Sequence, residues 1–168
     1  VPEPGPLVDL LAQAGAEVVE LATPIIRKSA LSPRGLIGLA VEAFAALGPS
    51  WQLLRTLRPS HLVVNTITPP LWLPLGKLAG VHTTCHVHEA EESVNPVLRR
   101  ALYLPLLFTD RLIINSRYAL GILGESAPWL RRRTRVVYNS VPGPASVVPP
   151  PSAPQRPARL LFVGRLSA

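Results

Sequence analysis

The stretch His82-Thr83-Thr84-Cys85-His86-Val87-His88-Glu89-Ala90-Glu91 decides how the chain folds. Val81 to His88 reads as a short strand that runs out into a loop. Side chains alternate along a strand, so His82, Thr84, His86 and His88 share one face. Val81, Thr83, Cys85 and Val87 share the other. Three of the four histidines of the chain therefore fall on one side. His86, His88, Glu89 and Glu91 crowd the carboxyl end, where open α/β sheets bind their ligands. A strand that served only a core would have little use for so much imidazole and carboxylate at its exit.

Outward from this strand, helix and strand signals alternate. Leu7 to Ala14 predicts a short amphipathic helix closed by Gly15. Glu17 to Leu21 predicts a strand stopped by Pro24. A long apolar-periodic stretch from Pro33 to Leu57 is expected to break near Gly48-Pro49, with Ser50 capping its second half. His61 to Asn65 is a strand, and Pro70 to Ala79 a helix closed by Gly80. Asn95-Pro96 opens a helix toward Phe108 that Pro105 kinks or shortens. Arg111 to Asn115 is a strand, Ser116 caps a helix through Leu123, and Thr134 to Asn139 is a further strand. The strands are continuous apolar runs, which implies a parallel sheet with helices on both faces, a Rossmann-like doubly wound α/β unit.

Composition fits that architecture. The 168 residues are 48% apolar and 16% charged, enough for a core and unlike a disordered chain. Cys85 is the single cysteine, which excludes an intrachain disulfide framework and suits a reducing, cytoplasmic compartment. The first residues lack a basic and then apolar signal-peptide pattern. No transmembrane helix is predicted, because the longest apolar run, Gly35 to Gly48, is short and carries Glu42. The net charge of +7 is consistent with phosphate-bearing or anionic-lipid partners. Arg131, Arg132, Arg133 and Arg135 form its densest cluster, read as a solvated turn before a strand, with a membrane or anionic-ligand patch the rival reading. Nucleic acid is disfavoured, since no aromatic side chains interleave with this charge.

Residues 142–157 hold seven of the twenty prolines and read as an extended linker. Arg159 to Arg165 is then a buried strand ending at Gly164. The expected organisation is a domain over residues 1–141, a linker over 142–157, and the first strand of a second domain over 158–168. On this reading the chain is a fragment.

Four pieces in order carry a family resemblance. They are His86-Val87-His88-Glu89-Ala90-Glu91, Asp110-Arg111-Leu112-Ile113-Ile114-Asn115-Ser116, Arg135-Val136-Val137-Tyr138-Asn139-Ser140-Val141-Pro142 and Leu161-Phe162-Val163-Gly164-Arg165-Leu166-Ser167. Together they resemble the family-4 glycosyltransferases of the GT-B fold. The resemblance implies a two-domain enzyme that moves a sugar, with retention, from a nucleotide-diphosphate donor to a glycan or lipid-linked acceptor. It implies no divalent metal and no other cofactor. Such enzymes build glycans, cell-envelope polysaccharides and glycolipids, in places at the inner face of an anionic membrane. It places His86 or His88 at the donor sugar or the reacting centre, with Glu89 orienting it. Asn115, Ser116 and Asn139 would line the rim of the cleft. Arg165 would pair with the donor diphosphate, a role that suits an always-charged, bidentate guanidinium. The family's glycine-rich loop would lie before Val1, and its donor-binding lysine and glutamates after Ala168. Ser140 stands where the family has glycine. The fragment alone is expected to be inactive.

Other readings use the same residues. A non-catalytic Rossmann-like module could bind a nucleotide or sugar without transferring it. His82, His86 and His88 with Glu89 or Glu91 offer zinc-ligand types, although residues 82 and 86 lie about 13 Å apart on a regular strand. Cys85 as a nucleophile is weaker, since it faces away from the histidines. The helix from Asn95, with Arg99 and Arg100, is read as core-facing, with membrane contact the rival reading.

Overall fold

A computed structural model describes residues 5–26, 32–88 and 95–140. Helix α1 (Pro6–Gln13) is followed by the long α2 (Pro33–Leu57). Strands β1 (His61–Asn65), β2 (His82–Val87), β3 (Arg111–Ile114) and β4 (Thr134–Val136) then alternate with α3 (Trp72–Leu78), α4 (Pro96–Tyr103) and α5 (Arg117–Ser126). Short 3₁₀ turns over Leu104–Phe108 and Pro128–Arg133 lead into β3 and β4. The four strands form one all-parallel sheet in the order β1-β2-β3-β4. The α/β class and the parallel sheet expected from the sequence are thus present.

The local signals act where the sequence puts them. Gly15 and Gly80 take the left-handed φ values of 83° and 72° that end α1 and α3. Asn95 Oδ1 accepts from Val97 N at 2.9 Å, and Ser116 Oγ from Ala119 N at 3.1 Å, capping α4 and α5. Pro105 ends α4 early, and the chain continues as a 3₁₀ turn.

Two expectations fail. The α2 stretch does not break at Gly48-Pro49: it is one helix of 25 residues with Pro49 inside it. Its N-cap is Ser32, whose hydroxyl accepts from Gly35 N at 3.1 Å. Ser50 is not a cap but a fully buried mid-helix residue. Proline removes one backbone donor, but packing of Ala46, Ser50 and Leu54 against the body holds the helix across it. The second failure is residues 17–21, which lie outside the sheet. They keep the period-two geometry of an extended chain, with Val19, Leu21, Thr23 and Ile25 all lining one groove, but add no strand to the β1 edge.

The sheet is covered unequally. Val64, Cys85, Val87, Leu112 and Ile114 face a core completed by Leu73, Tyr103, Leu106, Ala119, Leu123 and Leu130 from the crossovers. Leu73 of α3, Tyr103 of α4, and Ala119 and Leu123 of α5 all join this one core, so the connecting helices lie on the same side of the sheet. The opposite face carries His61, Val63, Asn65, His82, Thr84, His86, Arg111, Ile113 and Arg135, all exposed or half-buried. Among the described residues, the covering of both faces that a doubly wound sheet requires is not completed. Residues 142–168, with the proposed linker and second-domain strand, lie outside the described residues.

Helix α3 sits unusually close to the sheet at Gly76. A Cβ there would come within 2.5 Å of Leu62 Cδ2 and 2.9 Å of Thr83 Cγ2. The leucine end can swing, but Thr83 is β-branched and fully buried. Gly76→Ala is therefore expected to destabilise the chain by about 1–3 kcal/mol, measured by urea denaturation. An unchanged midpoint would mean that α3 shifts freely over the sheet.

Candidate functional site

The two edges of the sheet are built differently. At the amino edge, Asp110 ties three elements together. Its carboxylate accepts from Thr83 N at 2.8 Å, from Thr83 Oγ1 at 3.1 Å and from Lys77 Nζ of α3. His82 Nδ1 stands 3.6 Å from the same carboxylate, and its ring meets His61 edge-on. The Lys77 hydrogen bond, followed by that from Thr83 N, holds the Asp110 carboxyl at about 2, well below the usual carboxylate range. Thr109 Oγ1 donates to Arg111 O at 2.7 Å, and Arg133 Nη1 donates to Thr109 O at 3.1 Å. Arg133 of the basic cluster thus secures the backbone, while Arg131 and Arg132 are solvated. This edge is a fastening.

The carboxyl edge gathers side chains with less structural work to do. Strand β1 brings Asn65 and Thr66, β2 brings His86 and His88, and β3 brings Asn115. Parallel register places Asn65 beside His86 and His86 beside Ile113, so these groups share the open face. The His86 and His88 rings lie 3.9 Å apart, tilted by 43°. His88 Nε2 is 2.7 Å from Asn65 Oδ1, and with the amide oxygen toward the ring this nitrogen donates. Asn115 Nδ2 donates to His88 O at 3.2 Å and fixes the backbone just beyond the strand.

Thr66 is the strained point of this edge. It adopts a φ of 106°, an uncommon region for a β-branched residue. Its surroundings hold it there: Thr66 N donates to His86 O at 2.8 Å, and Cys85 Sγ lies 3.6 Å from Thr66 O. Backbone held in such a region costs roughly 1–3 kcal/mol, and strain of this kind clusters at sites with a task. Beside it opens a groove of about 360 Å³. Val19, Leu21, Leu53 and Trp72 supply its apolar walls, and Asn65, Thr66 and Thr68 its polar end. The groove therefore reaches the histidines through Asn65.

Of the residues singled out from the sequence, His86, His88 and Asn115 converge. Ser116 adjoins them, but its hydroxyl is committed to capping α5. Asn139 is exposed, three residues past β4, and takes no part in the hydrogen bonds of this cluster. Glu89, Glu91 and Arg165 lie outside the described residues. His82 is at the opposite end of β2 with Asp110, away from His86 and His88. No group of three His, Cys, Asp or Glu side chains with metal-holding geometry occurs among the described residues. Cys85 is fully buried on the core face, as strand alternation requires. Asn65 and Thr66, the polar end of an apolar strand, join this edge; strand composition marks the pair, but nothing in it marks a left-handed threonine. The chain matches no family model, no curated protein and no solved structure.

Proposed function

We propose that this chain is the acceptor-side, Rossmann-like part of a retaining glycosyltransferase that uses a nucleotide-diphosphate sugar. The observation that supports this reading is the convergence of His86, His88, Asn65 and Asn115 at the carboxyl edge, beside an open groove. In it, Asn65 holds the His88 ring so that the imidazole meets a hydroxyl of the donor sugar or of the acceptor. Hydrogen bonds from a ring fixed in advance favour the transition state without reorganisation during the reaction. The groove would hold the acceptor, with its reacting hydroxyl toward Asn65. Charge on the departing diphosphate would be met by Arg165 and the rest of a second domain, so no metal is called for.

The test uses the protein extended through that second domain. It is screened against nucleotide sugars for diphosphate release in the presence of glycan and lipid-linked acceptors. Release with one donor, together with glycosylated product of retained configuration, supports the proposal. Binding of a nucleotide sugar with no release under any acceptor would favour the non-catalytic module.

A further inference from the structure

Helix α2 is rich in apolar residues, and many of them lie at the surface. Ile37 is 66% and Phe44 79% exposed, and Leu36, Val41 and Leu47 are exposed beside them. Only 11% of its most apolar window is buried, although length and composition would let it cross a membrane. A core helix of this composition would be mostly covered, so something else meets this face. Ile37, Phe44 and Trp51 recur every seven residues and so fall on one line of the helix. Ala46, Ser50 and Leu54, spaced four residues apart, are buried against the body. Insertion across a bilayer would strip those three contacts, and Leu53 would leave the groove it lines. The helix therefore suits the plane of an interface rather than a span.

Charge selects the partner. Exposed Arg34 stands at one end of α2, and exposed Arg55 and Arg58 at the other. Arg55 lies 5.7 Å over the Trp51 ring, an aromatic–guanidinium pair suited to a headgroup layer. Glu42 is the one acidic residue of the helix. Pairing with a second copy would set arginine against arginine in either direction, with too little acid to compensate. An anionic lipid surface supplies phosphate for the ends and hydrocarbon for the middle.

We infer that α2 is a membrane-docking helix lying in the headgroup region of an anionic bilayer. Ile37, Val41 and Phe44 enter the acyl boundary, and Arg34, Arg55 and Arg58 meet lipid phosphates. The inference is independent of the sugar-transfer reading.

The test is co-sedimentation of the 168-residue chain with phosphatidylcholine vesicles and with mixed phosphatidylcholine–phosphatidylglycerol vesicles. The chain should sediment with the mixed vesicles, and much less with phosphatidylcholine alone. The Ile37→Glu/Phe44→Glu variant should partition about tenfold or more weakly. Both changes lie at exposed positions, so far-UV circular dichroism should be unchanged. Val97→Glu, on the exposed side of α4, should bind like the parent. Failure to sediment with the mixed vesicles overturns the inference, as does equal binding to both vesicle types. Undiminished binding of the double variant, or loss of binding in Val97→Glu, removes α2 as the surface. A dimer that the double variant abolishes, without lipid binding, assigns the face to a second copy instead.

Discussion

Replacing His88 with alanine is expected to lower sugar transfer by about 100-fold, at the modest end of what a positioned proton-transfer or hydrogen-bonding group contributes. The ring is half-buried at the open edge and takes no part in the core, so the thermal midpoint should hold. His86→Ala should act in the same direction, since the two rings lie against each other. Asn65→Ala should cost less, because it loosens the His88 ring without removing it. The pair also separates the roles by kinetics. Loss of a group acting only in the transition state lowers kcat, whereas loss of a ground-state sugar contact raises KM. The measurement is steady-state diphosphate release with the donor and acceptor that the proposed reaction requires. If His88→Ala and His86→Ala both keep parental rates in folded protein, the edge is not a reacting centre.

The second large effect falls on stability at Asp110. Its carboxyl titrates at about 2 in the folded chain, below the value of an unfolded aspartate. The charged form is therefore favoured by folding, and linkage gives a contribution of about 2 kcal/mol at neutral pH. The sign is fixed by the depressed value. The contribution is complete above about pH 5 and disappears as pH falls through the folded value near 2. Asp110→Asn should lower the unfolding free energy at pH 7 by about 1–3 kcal/mol, since it weakens the bonds from Lys77 and Thr83. Urea titrations at several pH values check this: parent and variant should differ at pH 7 and converge toward pH 2. A constant difference across that range would show that Asp110 acts through shape and not charge.

Much of the fold can be read from residues alone because the signals are local. The apolar strand runs, the Asn95 and Ser116 caps, and the stops at Gly15 and Gly80 each act within a few positions. Two elements escape that reading for reasons outside their own sequence. Gly48-Pro49 reads as a break, but the packing of Ala46, Ser50 and Leu54 on a distant surface carries α2 through. Glu17 to Leu21 has strand composition, yet whether it pairs depends on the β1 edge, which local residues do not encode. For the site, strand alternation brings out His86 and His88, and strand order brings Asn115 to them. The partnership of Asn65 with His88 depends on register between strands 23 residues apart. No residue pattern announces that Thr66 is left-handed.

The order β1-β2-β3-β4 has a further consequence for how the molecule comes into being. Each of β2, β3 and β4 pairs with the described strand before it in the chain, across only about 20–30 residues. Each strand–helix–strand unit can therefore close as soon as its second strand leaves the ribosome, with no need to wait for distant residues. His86 on β2 and His88 just beyond it would already be in place while β3 is still being made, and Asn115 would join them one unit later. Such stepwise, vectorial growth keeps loop-closure entropy small at each stage.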